Sequence, residues 1–198
     1  MSQLTAKGLA TKARIVAAAA DLVFKQGVAG TSIEEVRKAA GVSGSQMTHY
    51  FEDKRALIRA VVTHQADTIL AVHQELGKLD SFVALDAWAN LNIQQQRLRQ
   101  CEGGCLLGSV AAEVVECDAQ ARANAERGFE RWEAVLRDGL TAMRERGDLR
   151  PEADPDQLAL ALLAAVQGGA LLTQARRDAA PLEAALNVAL AHVRSLAA

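Results

Sequence analysis

A chain of 198 residues can bury a sizeable core, as one large domain or as a small domain joined to a larger one. Half of its residues are apolar, yet aromatics are only 4% and alanine dominates, which favours helices packed through small side chains and argues against a sheet. The net charge of −2 hides an asymmetry: residues 1–64 hold nine Lys/Arg against five Asp/Glu, whereas residues 65–198 carry a net −6, and a basic front suits a polyanionic partner better than chance scatter of solvated charge does.

In chain order, residues 1–8 read as a polar arm carrying Lys7. Over about 9–26, Ile15, Ala18, Ala19, Leu22 and Val23 recur at helical spacing and predict an amphipathic helix, with Lys12 near its start and Gly27 as its stop. The next stretch, TSIEEVRKAAGVSGSQMTHYFEDK over 31–54, organises the chain. Ser32 with Glu35 predicts a capping box that opens one short helix, and Gly41 is placed to end it in the left-handed conformation. Ser43 with Gln46 predicts a second capping box and a second helix. Two short helices across a tight turn make a helix-turn-helix, whose second helix can enter a DNA major groove. The exposed positions of that helix, Gly44, Ser45, Gln46 and Thr48, are small or amide-bearing, with no acid to repel phosphates. The pattern points to a reader of DNA.

Asp53 predicts the cap of a fourth helix that runs to about residue 76 and belongs to both halves of the chain. A fifth follows over about 81–100, with Leu85, Trp88, Asn92, Gln95 or Gln96, and Arg99 along one half-polar line. The run CEGGC over 101–105 interrupts it, and a short helix resumes over about 107–115. Asp118 caps a long helix to about 146, with Ala125, Phe129, Trp132, Leu136, Leu140 and Met143 as its stripe. Asp154 or Asp156 opens an eighth helix to about 177, with Leu158, Leu162, Ala165, Gly169 and Leu172 expected on one packed face. Pro181 starts the last helix, which ends near 196. The expectation is an all-α fold of about nine helices. A helix-turn-helix DNA-binding domain would occupy 9–64 and a helical effector-binding and dimerisation domain 65–198, with no linker between them.

No apolar run of membrane-spanning length is expected, because Gln167, Gly168 and Gly169 interrupt the most apolar segment. The N-terminus lacks the apolar core of a signal peptide, and three cysteines without a secretory signal suit a reduced cytoplasm. No GxSxG, HExxH, Gly-rich phosphate loop or carboxylate pair is present, so neither an enzyme nor a cofactor is expected.

The segment 14–62 resembles the DNA-binding domain of TetR-family repressors, through the Ala-rich first helix, QGVAGTSIEEV, the AAGVS turn and HYFEDKRAL. The remainder from about residue 67 is similar to the helical regulatory domain of that family. The GGCLLGSVAAEV and LLAAVQGGALLTQARRD stretches are similar to the LmrA/YxaF-like branch. The resemblance implies that Thr31, Ser32, Tyr50 and Lys54 touch phosphates, and that Ser43, Gly44, Ser45, Gln46 and Thr48 form the recognition helix. Family members often carry Lys where this chain has Gly44 and Tyr where it has Thr48. Affinity is therefore expected to lean on Lys7, Lys12, Arg37 and Lys54. It also implies a homodimer on a palindromic double-stranded operator, released by a small apolar effector, with no membrane partner.

Each site residue has a plainer reading. His49 and Tyr50 can pack beneath the recognition helix, Arg37 can be a helix-surface charge, and Gln46 can be a solvated amide or a bidentate reader of adenine. Trp88, Asn92, Gln96, Cys105, Trp132 and Gln167 can line a ligand cavity or simply fill a core. Cys101, Cys105 and Cys117 have no histidine nearby and lack paired CxxC spacing, so no metal is expected. A thiol switch at Cys101/Cys105 is one alternative to the effector, and an architectural DNA-binding protein without a ligand is another.

Overall fold

The computed structural model describes residues 5–198, so residues 1–4 of the expected N-terminal arm lie outside the described residues. Among the described residues the chain forms nine α-helices and no strand: α1 Ala6–Gly30, α2 Ile33–Ala40, α3 Gly44–Tyr50, α4 Lys54–Gln74, α5 Phe82–Leu98, α6 Leu106–Val114, α7 Ala119–Arg146, α8 Pro155–Arg176 and α9 Ala180–Ser195. They divide into two compact units. One takes the chain up to Thr68 together with Ser109–Gly128, and the other takes Ile69–Gly108 and Phe129–Ala198.

In the first unit, α1 begins three residues before the expected start, because the Thr5 side chain accepts the Gly8 N–H at 3.2 Å and caps it. Gly27 breaks α1 with φ 75°, as expected of a stop, but one further turn follows before Thr31. Both capping boxes form. Ser32 and Glu35 bond reciprocally at the start of α2, and Ser43 and Gln46 do so at the start of α3. Gly41 ends α2 at φ 61°, ψ 42°, a left-handed conformation that costs glycine little. The Arg14 guanidinium donates to the Ala40 carbonyl at 2.9 Å, satisfying an acceptor that the helix end leaves open. Ile15, Val36, Met47, Phe51, Leu57 and Val61 are buried in this unit.

In the second unit, Ser81 caps α5, which ends two residues early. Gln100, Cys101, Gly103 and Gly104 all have positive φ, so the break between α5 and α6 is a run of left-handed turns. Helix α8 lies along α9, and α5 packs on both. Ala179 provides no side-chain bond at the start of α9, and two other side chains close it: the Asp178 carboxylate accepts the Ala180 N–H at 3.1 Å, and the buried Thr173 hydroxyl of α8 accepts the Leu182 N–H at 3.3 Å. Two expectations for α8 need correction. Its buried line runs Leu158, Leu162, Val166, Gly169 and Thr173, while Leu172 is 48% exposed, because the helical period carries the packed face past position 172. By length and composition α8 is also apolar enough to cross a membrane, contrary to the expectation, although Leu158, Leu162, Val166 and Gly169 are buried within the fold.

Gly139 lies where α7 passes under the 77–80 loop, and a Cβ there would stand 2.1 Å from the Leu79 carbonyl oxygen. Because the obstacle is backbone, it cannot swing aside. Gly139→Ala should therefore destabilise the protein by about 1–3 kcal/mol despite the better helix propensity of alanine. An unchanged urea midpoint would show that the loop yields freely.

Candidate functional site

The recognition helix α3 is seven residues long and buries only Met47, leaving Gly44, Ser45, Gln46, Thr48 and His49 exposed and Tyr50 half-buried. Ser43 and Ser45 share a hydroxyl hydrogen bond at 2.9 Å. The Thr48 hydroxyl donates to the Gly44 and Ser45 carbonyls at 3.2 Å, which turns its methyl outward as the available contact. Gln46, for which the sequence left a solvated amide and a bidentate reader of adenine both open, is exposed but partly engaged. Its Oε1 accepts the Ser43 N–H at 2.9 Å, so within the capping box only the amide N–H₂ is presented. A donor alone suits the purine acceptors N7 and O6.

The residues expected at phosphates do not form one class. Ser32 is exposed, but its hydroxyl donates to Glu35 at 2.7 Å. Thr31 is 2% exposed and its hydroxyl donates to the Gly27 carbonyl at 2.8 Å, so it closes the α1 break from within. Arg37 grips Glu34 through two bonds, 2.6 and 2.7 Å, and reaches the Val42 carbonyl at 3.2 Å across the turn. That bond holds the Glu34 carboxyl down at about 2, so the pair is neutral as a unit near pH 7. Lys54 opens α4 half-exposed beside the Asp53 cap, whose carboxylate accepts the Ala56 N–H at 2.7 Å. Tyr50 and His49 meet edge to face at 4.9 Å, and the Lys12 ammonium sits 5.7 Å from the Phe51 ring centre.

Three residues that carry no recognisable motif brace this unit. The Glu113 carboxylate accepts the Val28 N–H at 2.9 Å, the donor that the Gly27 break leaves without a helical partner. Asp118 caps α7 as expected and also accepts two bonds from the Arg59 Nε, at 2.9 and 3.0 Å. The Ala121 N–H and then Arg59 hold its carboxyl below the usual range. Asn124 donates to the Arg59 carbonyl at 3.1 Å and to the Thr63 hydroxyl at 3.3 Å.

The candidate ligand residues fall into two groups, both in the second unit. Trp88 and Trp132 are buried, and both belong with a residue that sequence reading missed, His73, whose ring lies 6.4 Å from that of Trp88 and 5.2 Å from that of Trp132. His73 is 4% exposed, and burial pushes its imidazole below the ordinary value. The Asn92 amide donates to the Trp88 carbonyl at 2.8 Å and is engaged with its own helix. Around the α5–α6 break, Gln96 donates to the Gly104 carbonyl at 3.0 Å, and the Gln167 amide points to the Cys105 sulfur at 3.4 Å. Burial pushes the Cys105 thiol up, against the amide donors around it, so a reactive thiolate is disfavoured there.

A capped helix-turn-helix whose reading helix carries no acid, built into an all-helical chain, defines a DNA-binding transcriptional regulator. The chain belongs to the TetR family: residues 15–61 match the model of bacterial regulatory proteins of the tetR family, and residues 83–189 match that of the tetracyclin repressor-like C-terminal domain. Its relatives include an HTH-type transcriptional regulator of Mycobacterium tuberculosis, 29% identical with 86% of this chain and 87% of that one covered. The HTH-type transcriptional repressor DhaR of Mycobacterium sp. is 25% identical, with 83% of each chain covered. Among solved structures, a TetR regulator from Chloroflexus aurantiacus superposes with TM-score 0.82 at 25% identity over 98% of both chains. The reduced form of NemR from E. coli does so with TM-score 0.75 at 28% identity, over 96% of this chain and 97% of that one. Like its relatives, the protein is a regulator of transcription and not an enzyme.

The buried imidazole sets a pH dependence. The folded value of His73 lies below 6.5, so as pH falls the unfolded chain binds a proton that the native state refuses. Stability should drop below about pH 6.5, with a slope of at most roughly 1.4 kcal/mol per pH unit from this residue. In urea titrations at about pH 7 and about pH 5.5, His73→Phe should flatten that loss. Identical pH sensitivity in both proteins would remove His73 as its source.

Proposed function

We propose that the protein is a ligand-responsive repressor that binds a palindromic operator as a cytoplasmic homodimer and leaves it when a small apolar effector binds. Residues 9–64 serve as the DNA-binding domain and residues 65–198 as the effector-binding and dimerisation domain. The observation that carries the reading is the face of α3: five exposed polar or small residues, no acid, and a single buried anchor at Met47. One seven-residue helix offers too few base contacts for genomic specificity, and two-fold pairing doubles them.

The pairing surface follows from what the second unit leaves uncovered. The long α7 helix exposes charge, at Glu126, Arg127, Glu130 and Asp138. Among the described residues of this unit, the large exposed apolar side chains are Val83 and Leu98 at the two ends of α5, Leu160, Leu171 and Leu172 on α8, and Val188 on α9; α8 and α9, packed along each other, carry four of the six. We therefore assign the dimer interface to α8 and α9, two helices from each subunit forming a four-helix bundle. Light scattering should report a particle of twice 21.1 kDa, and Leu171→Glu should return the protein to monomer. A wild-type monomer at micromolar concentration would overturn the arrangement.

Effector release needs only that the ligand prefer one conformation of the protein over the other; equal affinity for both would change nothing. Burial of Cys101, and the desolvation that pushes the half-buried Cys105 thiol up, favour this over a thiol switch at those residues. On DNA, Lys54→Ala should weaken binding to all sequences alike and reduce the salt slope by about one. Gln46→Ala should relax preference at one base pair, by roughly 1–3 kcal/mol. Selection from a random DNA library tests both: an unchanged consensus with Gln46→Ala would exclude the amide as a base reader.

A further inference from the structure

The second unit holds a cluster of buried polar atoms that the fold leaves without partners. His73 Nε2, Trp88 Nε1 and Trp132 Nε1 belong to side chains at most 4% exposed, and none has a hydrogen bond. Such groups are costly to bury, and they are uncommon in native cores unless something pairs with them. The three rings are neighbours, His73 being 5.2 Å from Trp132 and 6.4 Å from Trp88 between ring centres.

The chemistry of the missing partner can be deduced. His73 Nδ1 lies 2.7 Å from the Ile69 carbonyl oxygen, which can only accept, so Nδ1 carries the proton. Burial keeps the ring neutral, which leaves Nε2 as a lone-pair acceptor. The two indole nitrogens can only donate. The cluster therefore presents one acceptor and two donors, all uncharged. A carboxylate would set its charge against the Nε2 lone pair, and an ammonium would set its protons against the indole N–H groups. A hydroxyl is the smallest neutral group that both gives a proton to Nε2 and takes one from an indole. Its carrier must be apolar, because Leu85, one turn before Trp88, and Leu136, one turn after Trp132, are fully buried as well.

We infer that His73, Trp88 and Trp132 form the recognition point for the hydroxyl of a compact, uncharged apolar alcohol or phenol. The inference rests on the effector reading above and gives it a chemical class. His73 is the group that selects, since it alone needs a donor from the ligand. Replacing O–H by O–CH₃ keeps the acceptor oxygen but leaves Nε2 unpaired, which corresponds to a loss of roughly tenfold or more in affinity.

The chain contains two tryptophans, both in the cluster, so tryptophan fluorescence, excited beyond the absorption of Tyr50 and of the phenol, reports on this point. The full-length protein is titrated with 4-ethylphenol, 4-ethylanisole and ethylbenzene, and each compound is then tested for release of the selected operator in a gel shift. The expected result is a saturable fluorescence change, with the phenol at least roughly tenfold tighter than the ether, and loss of that preference in His73→Phe. Equal binding of phenol and ether, or no saturable response to the phenol, overturns the inference and leaves the polar atoms to buried water. If phenol and ether release DNA at equal concentrations, the effector reading stands and the hydroxyl class falls. If the phenol binds with the expected preference but DNA binding is unchanged, the site stands and the effector reading falls. The comparison of ligands uses the native chain, so it decides the matter even if His73→Phe does not fold.

Discussion

An isolated helix of seven residues is marginal in water, since nucleation costs more than so few hydrogen bonds return. Yet α3, which presents the whole reading surface, is no longer than that. It exists because side chains close its first turn and the backbone ladder runs one residue past its last. Ser43 and Gln46 close the first turn reciprocally, and the N–H of Phe51 still bonds back to the Met47 carbonyl at 3.0 Å. Met47 pins one face into the core, and the turn that aims the helix is held from the α2 side by the Gly41 conformation and by Arg37 on the Val42 carbonyl. The same side chains therefore shape the helix and limit what it offers DNA: Gln46 presents a donor because its oxygen is already engaged.

That economy extends to the charges. The basic excess of residues 1–64 suggests a phosphate footprint, but three of its arginines are structural. Arg14 covers the end of α2, Arg37 is locked to Glu34, and Arg59 holds Asp118. The planar guanidinium fork suits carbonyl and carboxylate partners that need several bonds at once. The other basic groups of this segment stand at its surface: Lys7, Lys25, Lys38 and Arg55 are exposed, and Lys12 and Lys54 are half-buried.

The second unit sets its apolar groups in two directions. Along α8, Leu162, Val166 and Gly169 face inward and bring α9 so close that a Cβ on Gly169 would meet the Leu182 Cα at 2.8 Å. The opposite face carries Leu160, Leu171 and Leu172 outward, which explains why the helix is apolar nearly all round and passes a composition test for a membrane span. A helix with two apolar faces is satisfied only when both are covered, and a single chain covers one of them. Inside, the polar atoms of His73, Trp88 and Trp132 form a small neutral patch in an otherwise apolar core.

The amino-acid sequence by itself determined what depends on neighbours in the chain. Both capping boxes, the Gly27 and Gly41 breaks, the Asp118 cap and the order of nine helices follow from residues close together in the chain, because helix ends are decided locally. The exposed residues of the recognition helix were legible for the same reason. Tertiary structure alone decided the contacts between distant segments. Glu113 on the Val28 N–H, Thr173 on the Leu182 N–H of α9, and the meeting of His73 with two tryptophans join residues from 9 to 85 positions apart, and no periodic pattern encodes such pairings. It also decided which face of an evenly apolar helix turns inward. When hydrophobic residues surround a helix, its period carries no direction, so Leu172 faced out only because α9 occupied the other side.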